Sequence, residues 1–553
     1  MSNDTNFDES ALQAEKLWLR QYDGGVERTL PTSELTIKDT IQQLVAANPH
    51  QAHIIYHDQV LTYQESNALA CKLANALIKL GCSKGDRISI ILPNIPEIII
   101  SFMACYKTGM IAVGFNPRST EAEIRSNVNN HRAETVIVNR ENADKIIKLM
   151  HQKETSIKKA IILGYSEDSN EDHIYDFYQL INNADDIEPN ITVLPEDFAI
   201  LLYTGGTTGI SKGCCHTNRA LVGEQHAFYN WFASALKKQE TRNLICAPMT
   251  HIMGINFGIN WGIINGGSVV IVDTPTTEEI MEAINQYEPT MWATVPALMN
   301  ELIHHPDVKG SKIGALEIVI YGGASTARET IMQFKKISRA KLIEGYGMSE
   351  CVGLAAMSPV ATEGKLGSIG IPISDTDVLI VDTVDGTKVL PPEQKGEIVF
   401  RGPQVIKEYW EYPEETAHAI RNSWLYTGDI GYMDNDGFLY LVDRKKDMII
   451  VGGFNVYPRE IDELLFTHPK IFEACTIGIP EPRLGEVPKS FVVLNPGETL
   501  SAEEVRAYCR EKLIAYKVPK IVEFIDSIPK TKVKKPDKEA LKRIEKERMQ
   551  LSS

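Results

Sequence analysis

The sequence predicts an α/β fold. It has a large N-terminal domain of layered α/β subdomains, which carries a small β-barrel-like part, and a small α+β C-terminal domain follows. Three observations carry that prediction. Buried-strand patterns alternate with helical ones through most of the chain; from Gly367 to Tyr440 the rhythm breaks into short strands between Gly, Pro and Asp turns; and it changes again after Arg444. With 553 residues, 43% of them hydrophobic, the chain exceeds one ordinary core and needs at least two domains. The boundaries fall at 1–445 and 446–553, with the barrel-like part at about 360–440.

Taken in order, Tyr63 to Leu80 has helical periodicity, whereas Ala160-Ile-Ile-Leu163 and Ala315-Leu-Glu-Ile-Val-Ile-Tyr321 are apolar runs of strand length, a succession that predicts parallel layers. Phe198-Ala-Ile-Leu-Leu-Tyr203 is a buried strand. The short strands of the barrel-like part are Asp377 to Val381, Gly396 to Phe400 and Phe438 to Val442. In the tail, Pro458 to Phe466 reads as a helix and Ala474 to Ile479 as a strand. Neither an internal repeat nor a low-complexity tract interrupts the pattern.

The stretch after Tyr203 carries the chemistry. In Thr204-Gly-Gly-Thr-Thr-Gly-Ile-Ser-Lys-Gly213, the glycines Gly205, Gly206 and Gly209 leave room for backbone N–H groups to turn toward phosphate oxygens. Thr204, Thr207, Thr208 and Ser211 add hydroxyl donors, and Lys212 adds charge. A loop leaving a strand end is where α/β sheets place ligands. It is not a Walker A loop, because Gly213 follows Lys212 where that motif needs Ser or Thr.

Seven further segments stand in a fixed order: Ala247-Pro-Met-Thr-His-Ile-Met-Gly254, Tyr321-Gly-Gly-Ala-Ser325, Glu344-Gly-Tyr-Gly-Met-Ser-Glu350, Tyr426-Thr-Gly-Asp429, Asp443-Arg-Lys-Lys-Asp447, Gly452-Gly-Phe-Asn-Val-Tyr-Pro-Arg-Glu460 and Ile528-Pro-Lys-Thr531. With the loop, this set resembles the adenylate-forming superfamily of acyl-CoA synthetases, peptide-synthetase adenylation domains and firefly-type luciferases, from about residue 30 to 545. The resemblance implies attack of a carboxylate on the α-phosphate of ATP, giving acyl-AMP and pyrophosphate, then thioester formation with coenzyme A.

Joining two anions requires charge neutralisation and in-line positioning. The resemblance implies Lys212 on the phosphates and Glu350, with the Thr204 hydroxyl, on Mg2+, for which hard oxygen ligands are apt. It implies Tyr346 stacked on adenine, with Gly323, Ala324, Gly345, Gly347, Met348 and Ser349 around it, and Asp429 accepting the ribose hydroxyls. It puts Arg444 near ribose and phosphate, Lys446 at a hinge that makes the C-terminal domain mobile, and Gly452 and Gly453 on the thioester-forming face. Lys535 matches the adenylation lysine. The sequence departs from the motif there, with Lys534 in place of a glycine and Pro536 next, so Lys532 and Lys534 remain rivals.

On the acyl side, His251 matches a gate at the mouth of the carboxylate pocket. No aspartate follows in Ala247 to Gly262 to hold an amino group; Ile252, Met253, Ile255, Phe257, Ile259 and Trp261 give apolar lining for a hydrocarbon tail, or simply core helix. Leu17-Trp-Leu-Arg-Gln-Tyr-Asp-Gly-Gly-Val26 and Gly453-Phe-Asn-Val-Tyr-Pro458 look most like medium- and long-chain fatty acyl-CoA ligases, which favours a fatty acid. Aryl acids are second, an acyl-AMP ligase serving a carrier protein is the alternative acceptor reading, and a nucleotide-binding scaffold is the non-catalytic one.

The net charge of −16 argues against a nucleic-acid surface. Nine cysteines without a CxxC pair indicate neither a disulfide framework nor zinc, which fits a reducing cytoplasm. The acidic start lacks signal-peptide character, and no uncharged run reaches the ~18–20 residues of a membrane span. Peripheral membrane contact and a homodimer stay open.

Overall fold

The computed structural model describes residues 16–165, 172–204, 211–236, 240–324, 326, 328–362, 364–531 and 536–552. These fall into two compact units, one holding 16–377 and 400–425, the other 378–399 and 426–553.

The larger unit is built on two sheets. The first has nine strands in the order Ile371–Pro372, Ala356–Met357, Lys341–Tyr346, Ile318–Gly322, Met291–Thr294, Arg242–Ile245, Ser268–Ile271, Ala52–Tyr56, Gln59–Thr62. From Arg242–Ile245 the chain goes to one neighbour, Ser268–Ile271, and then returns to the other side at Met291–Thr294. That reversal is a switch point, where loops at the C-terminal strand ends diverge and leave a crevice. The second sheet has seven strands, in the order Ile174–Asp176, Lys159–Ile162, Thr135–Val138, Arg87–Ile91, Ile111–Gly114, Phe198–Tyr203, Gly213–Thr217. All but the last run parallel; Gly213–Thr217 turns back antiparallel on Phe198–Tyr203.

The helices begin where sequence chemistry says they should. Thr62 caps Tyr63–Lys79 with Glu65 in a reciprocal box, an arrangement worth ~1 kcal/mol, and Pro96 opens Pro96–Thr108, which ends at Gly109 in the left-handed region. Trp292, Val319 and Phe334 anchor the core on the nine-stranded sheet, and Val113, Val136 and Ile162 that of the seven-stranded sheet.

The chain passes between the units within Asp377–Val381, Gly396–Arg401 and Trp424–Met433, and in the smaller unit these line up in that order with Leu439–Arg444 added on Trp424–Met433. The smaller unit also holds the sheet Phe454–Val456, Ile449–Val451, Gly485–Leu494, Ile471–Glu481, with Ile521–Phe524 on Gly485–Leu494. Pro458–Phe466 and Ala502–Arg510 cover it, burying Ile461, Leu465 and Val505.

All nine cysteines are buried and unpaired. Among the described residues no helix is long and apolar enough to cross a membrane.

Candidate adenylate-forming site

Tyr203 pairs with Gly213 across the antiparallel edge of the seven-stranded sheet, which brings Thr204 and Lys212 side by side. The chain is stitched together there. Thr204 N–H donates to Lys212 O at 2.9 Å, and Ser211 Oγ donates to Thr204 O at 2.6 Å. Below them the Tyr203 hydroxyl donates to Asn130 Oδ1 at 2.6 Å, fixing the strand end. Gly205, Gly206, Thr207, Thr208 and Gly209 lie outside the described residues. Lys212 Nζ stands 5.3 Å from the centre of the Tyr409 ring and pairs with Glu415, whose carboxyl that hydrogen bond holds below its usual range.

On the nine-stranded sheet, Gly322 and Gly345 are partners in adjacent parallel strands. The two segments that follow therefore leave side by side at the C-terminal strand ends: Gly323 and Ala324, both exposed, and Tyr346 to Glu350. Tyr346 is 8% exposed, its ring centre 5.9 Å from that of Phe400. Gly347 packs so closely on the next turn that a Cβ there would stand 1.6 Å from Gly353 O. Met348 O accepts from the N–H groups of Cys351 and Gly353, and this turn presents Ser349 and Glu350. The Glu350 carboxylate receives the Tyr409 hydroxyl at 2.7 Å, and its backbone oxygen accepts from Ile406 N–H at 2.9 Å.

Sequence reasoning missed the segment 405–416, which joins these two motifs. Cys215 N–H donates to Glu408 O and Trp410 N–H to Gly213 O, so the segment runs along the edge strand while Ile406 and Tyr409 hold Glu350. The only signal in the sequence was three aromatics and four glutamates between Glu408 and Glu415, with nothing local to say what they touch.

His251 follows Arg242–Ile245 at the switch point. It is exposed, and its Nδ1 accepts the Met253 N–H. Asn94 clamps the preceding loop, donating to Ala247 O and accepting from Met249 N–H. The apolar segment then forms one helical turn, Ile252–Gly254, and a wholly buried π-helix, Ile255–Asn265. Inside it Asn256 donates to Glu224 and to Val352 O, and Glu224 accepts from Leu354 N–H at 3.0 Å. Burial raises the Glu224 carboxyl well above its usual range, and its two accepted hydrogen bonds tie this helix to the turn behind Glu350.

In the smaller unit Asp429 is partnered with Arg444 across Trp424–Met433 and Leu439–Arg444, and Arg444 Nε lies 3.4 Å from Asp429 Oδ1. Glu397 supports the turn before it, accepting from Gly428 N–H at 3.0 Å and pairing with Lys445 at 2.8 Å. Lys446 sits in the short turn Lys445–Asp447, and burial lowers its ammonium below the usual range. Gly452 and Gly453 have φ of 56° and 87° and form the two-residue loop of the hairpin Val451–Phe454, a conformation L side chains resist. Lys532, Lys534 and Lys535 lie outside the described residues; the chain before and after them is joined by Asp537 N–H to Pro529 O at 2.7 Å.

Among the described residues no group of three or more His, Cys, Asp or Glu could hold a metal ion. That donor set still fits magnesium, which keeps most of its ligands as phosphate oxygens and water and asks a protein for one or two oxygen donors. The Glu350 carboxylate fits such a donor: Tyr409 takes Oε1, and no described hydrogen bond takes Oε2.

Comparison with known proteins places the chain in a family. The model of AMP-binding enzymes matches residues 41–410, and that of the AMP-binding enzyme C-terminal domain matches 460–535. A long-chain-fatty-acid–CoA ligase of Bacillus subtilis (strain 168) is 34% identical over 549 residues, 95% of this chain and 97% of the relative. A feruloyl-CoA synthase of Amycolatopsis is 30% identical over 485 residues, 88% and 94% of the two chains. Among solved structures, the o-succinylbenzoate CoA synthetase of Bacillus subtilis with its acyl-adenylate superposes with a TM-score of 0.79 at 27% identity, covering 92% of this chain and 98% of that one. The ATP-bound MatB of Rhodopseudomonas palustris shares the fold, with a TM-score of 0.84 at 24% identity over 92% and 99%. The chain belongs to the AMP-binding enzyme family of the adenylate-forming superfamily and is an AMP-forming acid–CoA ligase that uses ATP and coenzyme A.

Proposed function

We propose that the acid is a long-chain fatty acid, activated in two balanced steps. Its carboxylate attacks the α-phosphorus of ATP and displaces pyrophosphate; the thiol of coenzyme A then attacks the acyl carbon of the mixed anhydride, releasing AMP and a proton. The observation that carries the choice of acid is the Ile252 to Asn265 segment beyond His251. It carries no charged residue, and the side-chain N–H groups of Asn256, Asn260 and Asn265 donate to Glu224, Asn256 and Gln225, leaving nothing charged to meet a polar tail. The long-chain-fatty-acid–CoA ligases at 30–34% identity support it. An aryl acid is the second reading, favoured by the feruloyl-CoA synthase relative.

In this reading Lys212, Thr204, Ser211 and the loop amides take the phosphates. Tyr346, with Gly323, Ala324, Gly345, Gly347, Met348 and Ser349, takes adenine. Asp429 accepts the ribose hydroxyls and Arg444 steadies the nucleotide. Glu350 and the Thr204 hydroxyl would hold Mg2+, which when bound neutralises phosphate charge. His251 guards the entry of the carboxylate, and Lys535 supplies the cation at the reacting phosphate. Residues 446–553 work as the mobile part, turning at Lys446 and presenting Gly452 and Gly453 to the thioester step. Nine unpaired thiols suit a reducing cytoplasm.

The test is AMP release from ATP with a panel of short- to long-chain fatty acids and aryl acids, with and without coenzyme A. Coenzyme-dependent release greatest with a long-chain acid is expected. Turnover confined to aryl acids would overturn the choice of acid, and acyl-AMP accumulating whatever coenzyme A is added would move the acceptor to a carrier protein. Replacing Lys532, Lys534 and Lys535 one at a time by Ala identifies the adenylation lysine, with Lys535→Ala expected to lose the first step.

A further inference from the structure

Tyr409 has no part in the reading above, yet its hydroxyl and its ring are each committed to a group that does. It is 6% exposed. Its hydroxyl donates to Glu350 Oε1 at 2.7 Å, and its ring lies 5.3 Å from Lys212 Nζ, within cation–π range. Its backbone is held from three directions. Tyr409 N–H donates to Thr416 Oγ1 at 2.9 Å, Trp410 N–H to Gly213 O at 2.8 Å, and Cys215 N–H to Glu408 O at 3.2 Å. Outside that frame Arg132 pairs with Glu411 at 3.0 Å and the Arg87 guanidinium sits over the Trp410 ring. A side chain fixed so firmly is a rigid spacer, not a passive filler.

A donor on one oxygen of a carboxylate fixes the plane of the group and leaves the other oxygen aimed. A ring beneath an ammonium restricts a side chain that otherwise samples many rotamers.

We propose that Tyr409 is a positioning residue for adenylation: it sets Glu350 and Lys212 at a fixed separation, so that the carboxylate for the metal and the cation for the phosphates are presented as a pair. This rests on the roles given above to Glu350 and Lys212. Tyr409→Phe keeps the ring and removes only the hydroxyl, which separates positioning from packing.

The experiment measures binding of ATP alone to the full chain by calorimetry, in EDTA and across a series of Mg2+ concentrations, for the parent, Tyr409→Phe, Glu350→Gln and the double variant. Tyr409→Phe is expected to raise the Mg2+ concentration giving half of the metal-dependent gain by about tenfold. Its affinity for ATP in EDTA should stay within about twofold of the parent, because the ring over Lys212 is kept. The double variant should be no worse than Glu350→Gln, because the hydroxyl acts only through that carboxylate. Tyr409→Leu, the second variant, removes the ring as well; it should show the same Mg2+ shift and also weaken ATP in EDTA by about threefold. A shift with Glu350→Gln but none with Tyr409→Phe or Tyr409→Leu overturns the proposal and leaves the role of Glu350 standing. No shift with Glu350→Gln removes that role, and the proposal falls with it. Additive losses in the double variant would show that the hydroxyl acts elsewhere and would also overturn it.

Discussion

Gly347→Ala tests how tightly the segment Tyr346 to Glu350 is held. The added Cβ would stand 1.6 Å from Gly353 O, 2.4 Å from Gly353 C and 2.6 Å from Leu354 Cα, where ordinary contact begins at 3.4 Å. All three atoms are backbone, so one chain segment must retreat by roughly 2 Å. The Gly353 side cannot do so cheaply. Gly353 has φ of 126°, its N–H is bound to Met348 O, and Leu354 N–H is bound to buried Glu224. The strain therefore falls on Tyr346 to Glu350. Overpacking of this kind costs about 3 kcal/mol or more, and a misplacement of about 1 Å in a positioned site costs about a hundredfold in rate. Gly223→Ala, inside the helix Asn218–Phe232, is the control: its Cβ meets nothing within 4 Å. Acid-dependent exchange of pyrophosphate into ATP, with ATP affinity and circular dichroism alongside, gives the readout. A folded Gly347→Ala that keeps exchange and affinity within about threefold of the parent would refute the packing argument.

Glu415→Gln should tighten ATP binding by about two- to fivefold at low salt, because it frees Lys212 from a partly exposed counterion; unchanged or weaker binding would show that Glu415 does not compete with phosphate. Asp429→Asn should weaken ATP about tenfold while 2′,3′-dideoxy-ATP binds parent and variant alike, and an equal loss with both nucleotides would take Asp429 off the ribose. Burial pushes the Asp462 carboxyl up to about 7, outweighing the attraction of Lys538. The folded chain thus keeps a proton that the unfolded chain releases near pH 4. Stability of the smaller unit should fall as pH rises from about 4 to 7 and level off above. Urea midpoints at pH 5 and pH 8 should show this in the parent and a flatter profile in Asp462→Asn; a parent that gains stability over that range would refute the assignment.

Some elements were legible to the residue. Phe198–Tyr203 and Pro458–Phe466 have the bounds that their apolar run and their N-terminal proline announce. Ala474 to Ile479 was read too short, because the real strand, Ile471–Glu481, extends through residues whose pairing with Gly485–Leu494 no local pattern signals. The apolar segment after His251 was open between pocket lining and core helix. It is buried throughout and π-helical from Ile255 to Asn265, a distinction periodicity cannot draw when every position is inside. Asp443 stands in a run of five charged residues, Asp443 to Asp447, yet it is buried, its carboxylate accepting from Arg444 and Arg459 N–H. Tyr409 and Glu415 were invisible for a related reason. Their partners Glu350 and Lys212 lie 59 and 203 residues away, so neither period nor composition marks them.

The segment that runs from Glu408 to Trp410 also bears on solubility. Gly213–Thr217 ends the seven-stranded sheet, and the end strand of a sheet offers unpaired backbone groups to any other extended chain. Here Gly213 O and Cys215 N–H are already taken by Trp410 and Glu408. The capped stretch begins immediately after residues 204–212, whose glycines and threonines carry no charge to deter an incoming strand. Variants that loosen 408–410 would uncover a template for edge-to-edge association as well as disturb Lys212. Protein lost to aggregates and protein lost to poor nucleotide binding would therefore arise from the same substitution, and size-exclusion profiles have to accompany every kinetic measurement made on this segment.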